Sequence, residues 1–449
     1  MKKLAGLILT LIMSLFIQQN SVLAESLDKT VSQSGVNKSA VSISVKDVST
    51  GKVVYKLNDN QPKNPASTLK VITYSSALDT LGDDYEFKTE LYKSTNNDLY
   101  LKLGADPFLA RRHLKKIFKT AKEKNIFEPK NIYIDDYILD DVTWGEGWQW
   151  DDDLNPLMPK FGSYNIDDNM LEVVISPTQK GGPADIRVSE FYPVTFMNLV
   201  TTSDTTSIKI SRNNNISPDV INVSGTVARK TSRFIPVNNI RRYFVLRCDD
   251  AVKANKLGYY GKYTQKKLPN ENVYLVDTFA HSIKDTSVPI LKQSNNLVAE
   301  TVFKVAGGKF VNNTGSLANS QKMLENYFDK LGLNAQNIKI TDGSGVSKNN
   351  LMTTDFMTEF LVKRYDDKDF VESLATSGEG TLSNRMLYFK DNLRAKTGTL
   401  SDVSAIAGYI TTRRGNTYAF DIMINDAKSK SQEKKSLEEY ILRDLYANY

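Results

Sequence analysis

The pattern of apolar and polar residues divides the chain into a mixed α/β part, a β-rich part and a second mixed part. Alternating apolar residues at 41–45 and 53–55 flank a Ser-Thr-Gly turn and predict a hairpin. Apolar residues then recur with helical spacing between residues 69 and 81, with Pro65 before them and Gly82 after them. This spacing predicts a helix whose first turn contains Ser67.

Between about residues 88 and 275, short β-like runs alternate with turn residues. The runs lie at residues 132–134, 171–175 and 220–223, and turn clusters lie at 181–183 and 213–215. Residues 243–248, which end in Cys248, also form a strand-like run. Helical spacing returns at 295–305 and 316–333, followed by two strands at 403–412 and 418–425 and a helix from about residue 431. This order predicts an α/β (α+β) fold, with an antiparallel sheet flanked by helices and interrupted by a β-rich insert of one or two modules.

The first 24 residues resemble a secretory signal, with Lys2 and Lys3 at the start, an apolar run from 4 to 17, and Ala24 at the end. The alternative is a membrane anchor, but this run is shorter than the ~20 residues that span a bilayer. We therefore expect an exported protein of the periplasm or cell-wall space, without a stable membrane span after signal removal. Cys248 is the only cysteine, so no intramolecular disulfide can form, and a buried thiol is expected.

The formal net charge of the chain is +6, and its lysines are scattered among 52 acidic residues rather than arranged in a stripe. This distribution gives little support to nucleic-acid binding. A mildly basic exported protein suits an anionic polymer such as cell wall. His113 and His281 are too far apart in the sequence for metal-ligand spacing, so we predict no metal and no cofactor.

Three short motifs occur in an order that suits serine chemistry without histidine: Ser67-Thr68-Leu69-Lys70, Ser294-Asn295-Asn296 and Lys396-Thr397-Gly398. A Ser-x-x-Lys match alone has little value, because it also occurs at Ser26, Ser49 and Ser431. Ser67 differs because it lies at a predicted helix start. Positions i and i+3 share a helix face, so Lys70 is expected beside the Ser67 hydroxyl.

For Lys70 to act as general base it must be neutral near pH 7, against a reference pKa of ~10.4. A second cation ~4 Å away, at an effective dielectric of ~20, contributes ~4 kcal/mol, which is roughly three pKa units. Lys396 is the candidate for that cation. Burial would lower the pKa of Lys70 in the same direction.

The remaining motif residues have predicted roles around the nucleophile. Ser294 would relay a proton to the leaving amine, and Asn296 would offer its amide to a substrate peptide carbonyl. Gly398 would let a substrate backbone pair beside an edge strand. Thr397 would bind a terminal carboxylate with help from Lys396, and the N–H groups of Ser67 and Thr399 would form an oxyanion hole.

These residues carry a family resemblance. Residues 65–70, 294–300 and 395–400 resemble the class C low-molecular-mass penicillin-binding proteins, which are D-alanyl-D-alanine carboxypeptidases/endopeptidases. Residues 342–345 and 380–385 are similar to that family's secondary motifs, and the likeness spans essentially the whole chain after residue 24. It implies an exported serine DD-peptidase acting on peptidoglycan stem peptides and acylated by β-lactams.

The resemblance also implies a penicillin-recognising serine transpeptidase/β-lactamase-like domain at residues 25–88 and 276–449. A β-rich insert would occupy residues 89–275, with a nested module at about 165–230. The resemblance further suggests that Asp135 approaches the active site from the insert and meets the amino group of a diaminopimelyl-type side chain. A solvated loop carboxylate is the alternative for Asp135.

Two other functions are compatible with parts of the sequence. A serine β-lactamase shares the three motifs, but the long insert and the lack of a clear glutamate motif for fast deacylation argue against it. A catalytically silent wall-binding scaffold is the alternative of another class. Retention of Ser67, Lys70 and Lys396 makes a scaffold the weaker interpretation.

Overall fold

A computed structural model describes residues 25–212 and 216–449. The predicted signal peptide at 1–24 and the predicted turn at 213–215 lie outside the described residues. Residues 25–33 are helical. The α-helices that follow are α1 (Lys70–Leu81), α2 (Arg111–Glu123), α3 (Ile240–Ala254), α4 (Asn296–Val311), α5 (Leu317–Leu331), α6 (Thr354–Arg364), α7 (Lys368–Ser373) and α8 (Ser431–Asn448).

The strands of the described residues form four sheets. They are β1 (Val41–Asp47), β2 (Val53–Leu57), β3 (Glu86–Ser94), β4 (Leu99–Leu103), β5 (Ile132–Asp135), β6 (Met170–Ser176), β7 (Asp185–Val188), β8 (Thr195–Thr202), β9 (Ser207–Arg212), β10 (Val220–Val227), β11 (Thr231–Pro236), β12 (Tyr263–Gln265), β13 (Val273–Ser282), β14 (Ala375–Thr376), β15 (Leu393–Thr399), β16 (Val403–Thr411) and β17 (Thr417–Asn425). The described part of the chain contains no helix that is both long enough and apolar enough to cross a membrane.

The described chain divides into two compact units. The first contains the described residues up to Ser76, together with Ser287–Ser294 and Gln321–Tyr449, and the second contains Ala77–Thr286 and Asn295–Ser320. The domain boundaries that the sequence predicts, at residues 88 and 276, therefore remain a prediction.

The first unit is built on a six-stranded sheet in the order β14-β15-β16-β17-β1-β2, in which every neighbouring pair is antiparallel. One face of the sheet and the apolar stripe of α8 share a buried core. α6 packs against β17 and β1, where Ser44 and Thr358 share a hydrogen bond of 2.7 Å. The predicted antiparallel sheet flanked by helices is confirmed.

The strand β15 carries the Lys-Thr-Gly motif and lies beside a very short neighbour. β14 pairs with β15 only at Ala395 and Arg394, whereas β16 pairs with β15 from Leu393 to Thr399. Among the described strands, therefore, none pairs with the β14 side of β15 from Lys396 onward.

The second unit contains a mixed five-stranded sheet in the order β12-β5-β4-β3-β13 and two three-stranded sheets, β8-β10-β9 and β11-β6-β7. Its core also includes two helices that we did not predict, α2 and α3, which pack on each other. The prediction of a strand at 243–248 is wrong. Tyr243, Phe244, Arg247 and Cys248 are buried at helical spacing in α3, whose first turn is capped by Asn239. Cys248 is a buried thiol, as expected.

Candidate active site

Ser67 lies on a strained turn in front of α1. Residues Ala66–Leu69 form a single 3₁₀ turn that continues into α1, so the predicted helix start is correct to within one turn. Ala66 has φ +47°, in the left-handed region that costs an L-residue about 1–2 kcal/mol. Its N–H donates to Asn64 Oδ1 at 2.8 Å, which helps to hold this conformation. The Ser67 side chain is partly exposed and thus open to a substrate.

Two glycines enclose the backbone of this turn. A Cβ at Gly345, whose φ is +80°, would lie 2.0 Å from the carbonyl oxygen of Ala66 and 3.1 Å from Ser67 N. A Cβ at Gly398 would lie 2.9 Å from Pro65 O and from Ser67 N. We expected Gly398 to make room for a substrate strand. In the structure, the space that a side chain would take at Gly398 is occupied by the turn that carries Ser67.

Lys70 is buried and contacts the candidate nucleophile directly. Its Nζ donates to Ser67 Oγ at 2.9 Å and to the carbonyl oxygen of Ser344 at 2.5 Å. The Asp342 carboxylate holds the Ser344 segment in place by accepting from Gly345 N at 2.8 Å and Ser347 N at 2.6 Å. The predicted pairing of Lys70 with Ser67 is therefore present, and the Ser344 carbonyl is a contact that the motif did not reveal.

Lys396 is also fully buried and connects two of the motifs. Its Nζ donates to Ser294 Oγ at 2.9 Å and to its neighbour's carbonyl, Thr397 O, at 2.7 Å. Burial lowers the pKa of Lys396 well below its usual value, and the positive charge of Lys70 lowers it further. The two lysines therefore interact electrostatically. The lowered pKa belongs to Lys396, whereas the sequence predicted that Lys396 would be the cation that lowers the pKa of Lys70, and that role stays a prediction.

Ser294 reaches Lys396 from an unusual backbone position. It has φ +62° and immediately precedes Asn295, the N-cap of α4. Left-handed φ values in non-glycine residues cluster at functional sites because the surrounding structure must compensate for the strain. Ser294 and Ala66 both have left-handed φ values, and both lie at or beside one of the three sequence motifs.

Thr397 hydrogen-bonds to a residue that motif analysis did not assign a role. Its Oγ1 lies 2.7 Å from Thr381 Oγ1, in the segment at 380–385 that the resemblance marked as a secondary motif. The preceding residue, Gly380, packs against the backbone of Lys292, because a Cβ there would lie 2.1 Å from the carbonyl oxygen of Lys292. Thr399, the remaining predicted residue on β15, ends the strand and is exposed.

Asn296 is the first residue of α4, in the second unit. The side chain of Asn295 caps the helix by accepting from Val298 N at 3.1 Å. Asn296 Nδ2 donates to the carbonyl oxygen of Leu157 at 2.7 Å. Its amide is thus oriented by a contact from the predicted insert.

Asp135 lies elsewhere in the second unit. Its carboxylate is buried and accepts from Leu268 N at 2.8 Å. It lines a cavity of about 490 Å³ together with Asn312, Asn313 and Thr314, which follow the C-terminus of α4. Because the 16 residues of α4 span about 24 Å, Asp135 is far from Asn296 at the opposite end. The structure does not bring these two predicted site residues together.

The two histidines lie in the second unit. His281 Nδ1 contacts the Asp106 carboxylate at 2.7 Å, and the His113 ring stacks on Phe279. The described residues contain no group of three or more His, Cys, Asp or Glu side chains that could hold a metal ion.

Comparisons with known proteins agree with this arrangement. Residues 23–443 match the family described as the D-Ala-D-Ala carboxypeptidase 3 (S13) family. The chain is 24% identical to the D-alanyl-D-alanine carboxypeptidase of Actinomadura sp. (strain R39) over 90% of this chain and 81% of that protein.

Solved structures show the same fold. The crystal structure of penicillin binding protein 4 from Haemophilus influenzae has a TM-score of 0.81 at 23% identity, covering 95% of this chain and 99% of the other. A second structure of that protein, complexed with a β-lactam, has a TM-score of 0.76 at 22% identity, with the same coverage. The predicted penicillin-recognising fold and the predicted carboxypeptidase activity are confirmed. The chain belongs to the D-Ala-D-Ala carboxypeptidase 3 (S13) family and is a carboxypeptidase of that family.

Proposed function

We propose that Ser67 is the nucleophile of a serine-type D-Ala-D-Ala carboxypeptidase/endopeptidase. The observation that carries this proposal is the 2.9 Å contact between Lys70 Nζ and Ser67 Oγ at a partly exposed turn. A serine hydroxyl is a weak nucleophile until an adjacent base removes its proton. Neutral Lys70 is the group placed to do so.

The reaction begins when Ser67 Oγ attacks the carbonyl carbon of the bond between the last two residues of the peptide. Lys70 takes the hydroxyl proton, and the carbonyl oxygen becomes an oxyanion that accepts from the N–H groups of Ser67 and Thr399. The close packing of Gly398 on Ser67 N supports this pair of donors, because Thr399 is the next residue along β15.

Collapse of this intermediate breaks the peptide bond. The leaving nitrogen takes a proton from Lys70, with Ser294 as the relay, and the terminal D-amino acid departs. Water then attacks the acyl-enzyme ester and gives one proton to Lys70. When the ester bond breaks, Lys70 returns that proton to Ser67 Oγ, which restores the Ser67 hydroxyl and releases the shortened peptide. The hydrogen bond from Lys396 to Ser294 supports the relay role, because it holds that hydroxyl in a fixed position.

Substrate binding is assigned to β15 and to Asn296. The side of β15 that β14 leaves without a partner from Lys396 onward can pair with an extended peptide. Thr397 and Lys396 would bind the terminal carboxylate, and Asn296 would donate to a peptide carbonyl. We do not include Asp135 in this site, because it lies at the far end of α4.

The substrates in this proposal are peptidoglycan stem peptides, in the periplasm or cell-wall space. β-Lactams would acylate Ser67, because their ring amide resembles the dipeptide bond. The β-lactam complex of the Haemophilus influenzae protein supports this part. We also propose that residues 25–88 and 276–449 form the penicillin-binding domain, interrupted by an insert at 89–275.

The test measures D-alanine release from a pentapeptide, digestion of cross-linked muropeptides and labelling by penicillin. Wild type should be labelled by penicillin, should release the bound penicillin slowly, and should release D-alanine from the pentapeptide. Ser67→Ala should show neither labelling nor D-alanine release. Ser49→Ala is the matched control, because Ser49 and Lys52 form a Ser-x-x-Lys pair outside the site. Equal activity in wild type and Ser67→Ala would remove the nucleophile assignment. Rapid turnover of penicillin would favour a β-lactamase.

A further inference from the structure

A tight turn in the second unit holds the side chain of Asn296. The carbonyl oxygen of Leu157 accepts a hydrogen bond from Asn296 Nδ2 at 2.7 Å. Asn155 shapes this turn, because its Oδ1 accepts from Leu157 N at 3.0 Å and its carbonyl oxygen accepts from Met158 N at 2.8 Å. Pro156, between them, has a fixed φ. The Leu157 carbonyl shares a peptide plane with Met158 N, so the backbone bond to Asn155 O sets its direction. The side chain of Asn155 supports the same turn through the preceding peptide unit, at Leu157 N.

This contact selects one orientation of the Asn296 carboxamide. A carbonyl oxygen only accepts hydrogen bonds, whereas a carboxamide has a donor end and an acceptor end. The terminal torsion of asparagine is roughly two-fold, so the side chain has two flipped orientations of similar shape. In the flipped orientation, Oδ1 would face the oxygen of Leu157, and two acceptors would repel each other. The turn thus holds Nδ2, which carries two N–H donors, on the side of Leu157 O. One N–H donates to Leu157, and the proposed function assigns the other to a substrate carbonyl.

We propose that Asn155 is a positioning residue for substrate recognition by Asn296. The turn from Asn155 to Met158 orients the carboxamide that binds a peptide carbonyl of the acyl donor, other than the carbonyl that is attacked. This inference rests on the role proposed above for Asn296 and deepens it. The orientation of the group that binds this substrate carbonyl would then depend on a turn outside all three motifs, in which Leu157 lies 139 residues before Asn296.

The size of the effect follows from the environment of the contact. The hydrogen bond between Asn296 and Leu157 is exposed to solvent, so water competes for it. A typical intramolecular hydrogen bond changes an equilibrium by roughly threefold to tenfold. We therefore expect a loss of that size in substrate recognition when the turn is released, rather than a loss of catalysis.

The test compares two acyl donors that differ in one carbonyl. Benzylpenicillin carries a side-chain amide, and the bare penicillin nucleus carries an amine in its place. In Asn155→Ala, the second-order rate constant for acylation by benzylpenicillin should fall roughly threefold to tenfold. Acylation by the bare nucleus should stay unchanged, because it has no side-chain carbonyl to recognise. Asn155→Asp keeps an oxygen that accepts from Leu157 N and should restore the benzylpenicillin rate.

Asn334→Ala is the matched control, because Asn334 Oδ1 accepts from Gln336 N at 3.1 Å in an exposed turn of the first unit. It should leave both rates unchanged. An equal loss with both donors in Asn155→Ala, or no loss with either, would overturn the inference. If Asn155→Ala does not fold, Asn155→Ser, which keeps a weaker acceptor, replaces it with the same expected difference between donors. Failure of the proposed function is distinguishable, because then Ser67→Ala would still be acylated by both donors.

Discussion

Lys396 Nζ lies 2.9 Å from Ser294 Oγ, so the Lys-Thr-Gly motif on β15 holds the serine hydroxyl of the Ser-Asn-Asn motif. The same amine is buried and interacts with the charge of Lys70. The two lysines therefore share one electrostatic environment, and a change in one should alter the protonation of the other.

Lys396→Met tests this coupling. Whenever Lys396 holds a proton, its charge disfavours a proton on Lys70. Without the Lys396 amine, Lys70 should keep its proton more easily, so the acidic limb of the acylation pH profile should move to higher pH. We expect a shift of about one pH unit or more. The measurement is the rate of penicillin acylation between pH 5 and pH 10. Lys292→Met, which removes a lysine paired with Glu379, is the control and should leave the limb in place. An unmoved limb in Lys396→Met would show that the charges are not coupled.

Gly345→Ala tests whether acylation requires the close packing around the turn that carries Ser67. Its Cβ would lie 2.0 Å from Ala66 O, so the turn that carries Ser67 must move. We expect a fall in the acylation rate of about 100-fold, since small displacements of catalytic groups have effects of this size. Gly415→Ala is the matched control, because Gly415 has almost the same backbone conformation, with φ +83° against +80° at Gly345. The two positions differ in packing, since no atom lies within 4 Å of a Cβ at Gly415. Both variants should lose about 1 kcal/mol of stability from the backbone conformation, but Gly415→Ala should acylate normally.

Asp421→Asn tests a buried carboxyl group in the middle of β17. Both Asp421 oxygens are buried without a hydrogen-bond partner. Burial raises the pKa of Asp421 well above its usual value, and the charge of Glu438 raises it further. The folded protein then binds a proton that the unfolded chain has lost, so stability falls as pH rises toward the folded pKa. The loss is about 1.4 kcal/mol for each pH unit.

We expect urea unfolding at pH 5 and pH 8 to reveal this dependence. Asp421→Asn should be less sensitive to pH than wild type and should be the more stable protein at pH 8. Asp402→Asn, at a loop residue, should keep the pH dependence of wild type. Parallel curves for wild type and Asp421→Asn would contradict the raised pKa.

His113→Gln tests a group whose pKa is lowered by folding, so its effect on stability changes with pH in the opposite direction to that of Asp421. Burial, with the positive charges of Arg112, His281 and Lys116, lowers the pKa of His113 to about 4. The unfolded chain therefore binds a proton first as pH falls below 6.5, and the folded protein loses stability between pH 6.5 and pH 4. Gln keeps an acceptor for the N–H of Ala110, which His113 Nδ1 now binds at 3.1 Å.

At pH 4.5 the His113→Gln variant should therefore be more stable, relative to wild type, than it is at pH 7.5, by about 2 kcal/mol. Thermal unfolding of both proteins at the two pH values measures this difference. A difference that does not change with pH would show that His113 titrates normally.

The parts of the site that depend on local geometry could be predicted from the sequence. Ser67 and Lys70 are three residues apart on a helical turn, so their contact follows from helix geometry alone. The strands β16 and β17 and the helix α8 were likewise visible in the apolar pattern. The contact from Lys70 to Ser344 spans 274 residues, and no local rule predicts which carbonyl will meet the amine.

Two errors have specific physical causes. The run at 243–248 resembles a strand because a short apolar run has no clear period, and the helical spacing appears only when the buried residues on either side of it are included. The implied position of Asp135 came from resemblance alone. The residue does end a strand, β5, as the pattern indicates, but that strand lies beside the C-terminus of α4 rather than near Asn296.

The burial of Lys396 has a consequence for ligand binding. The pKa of Lys396 is lowered by burial, and it should rise when an anionic carboxylate binds beside the amine. Binding of a carboxylate should then be accompanied by uptake of a proton from the buffer. The heat of binding would depend on the ionisation enthalpy of that buffer, and affinity would weaken in alkaline solution.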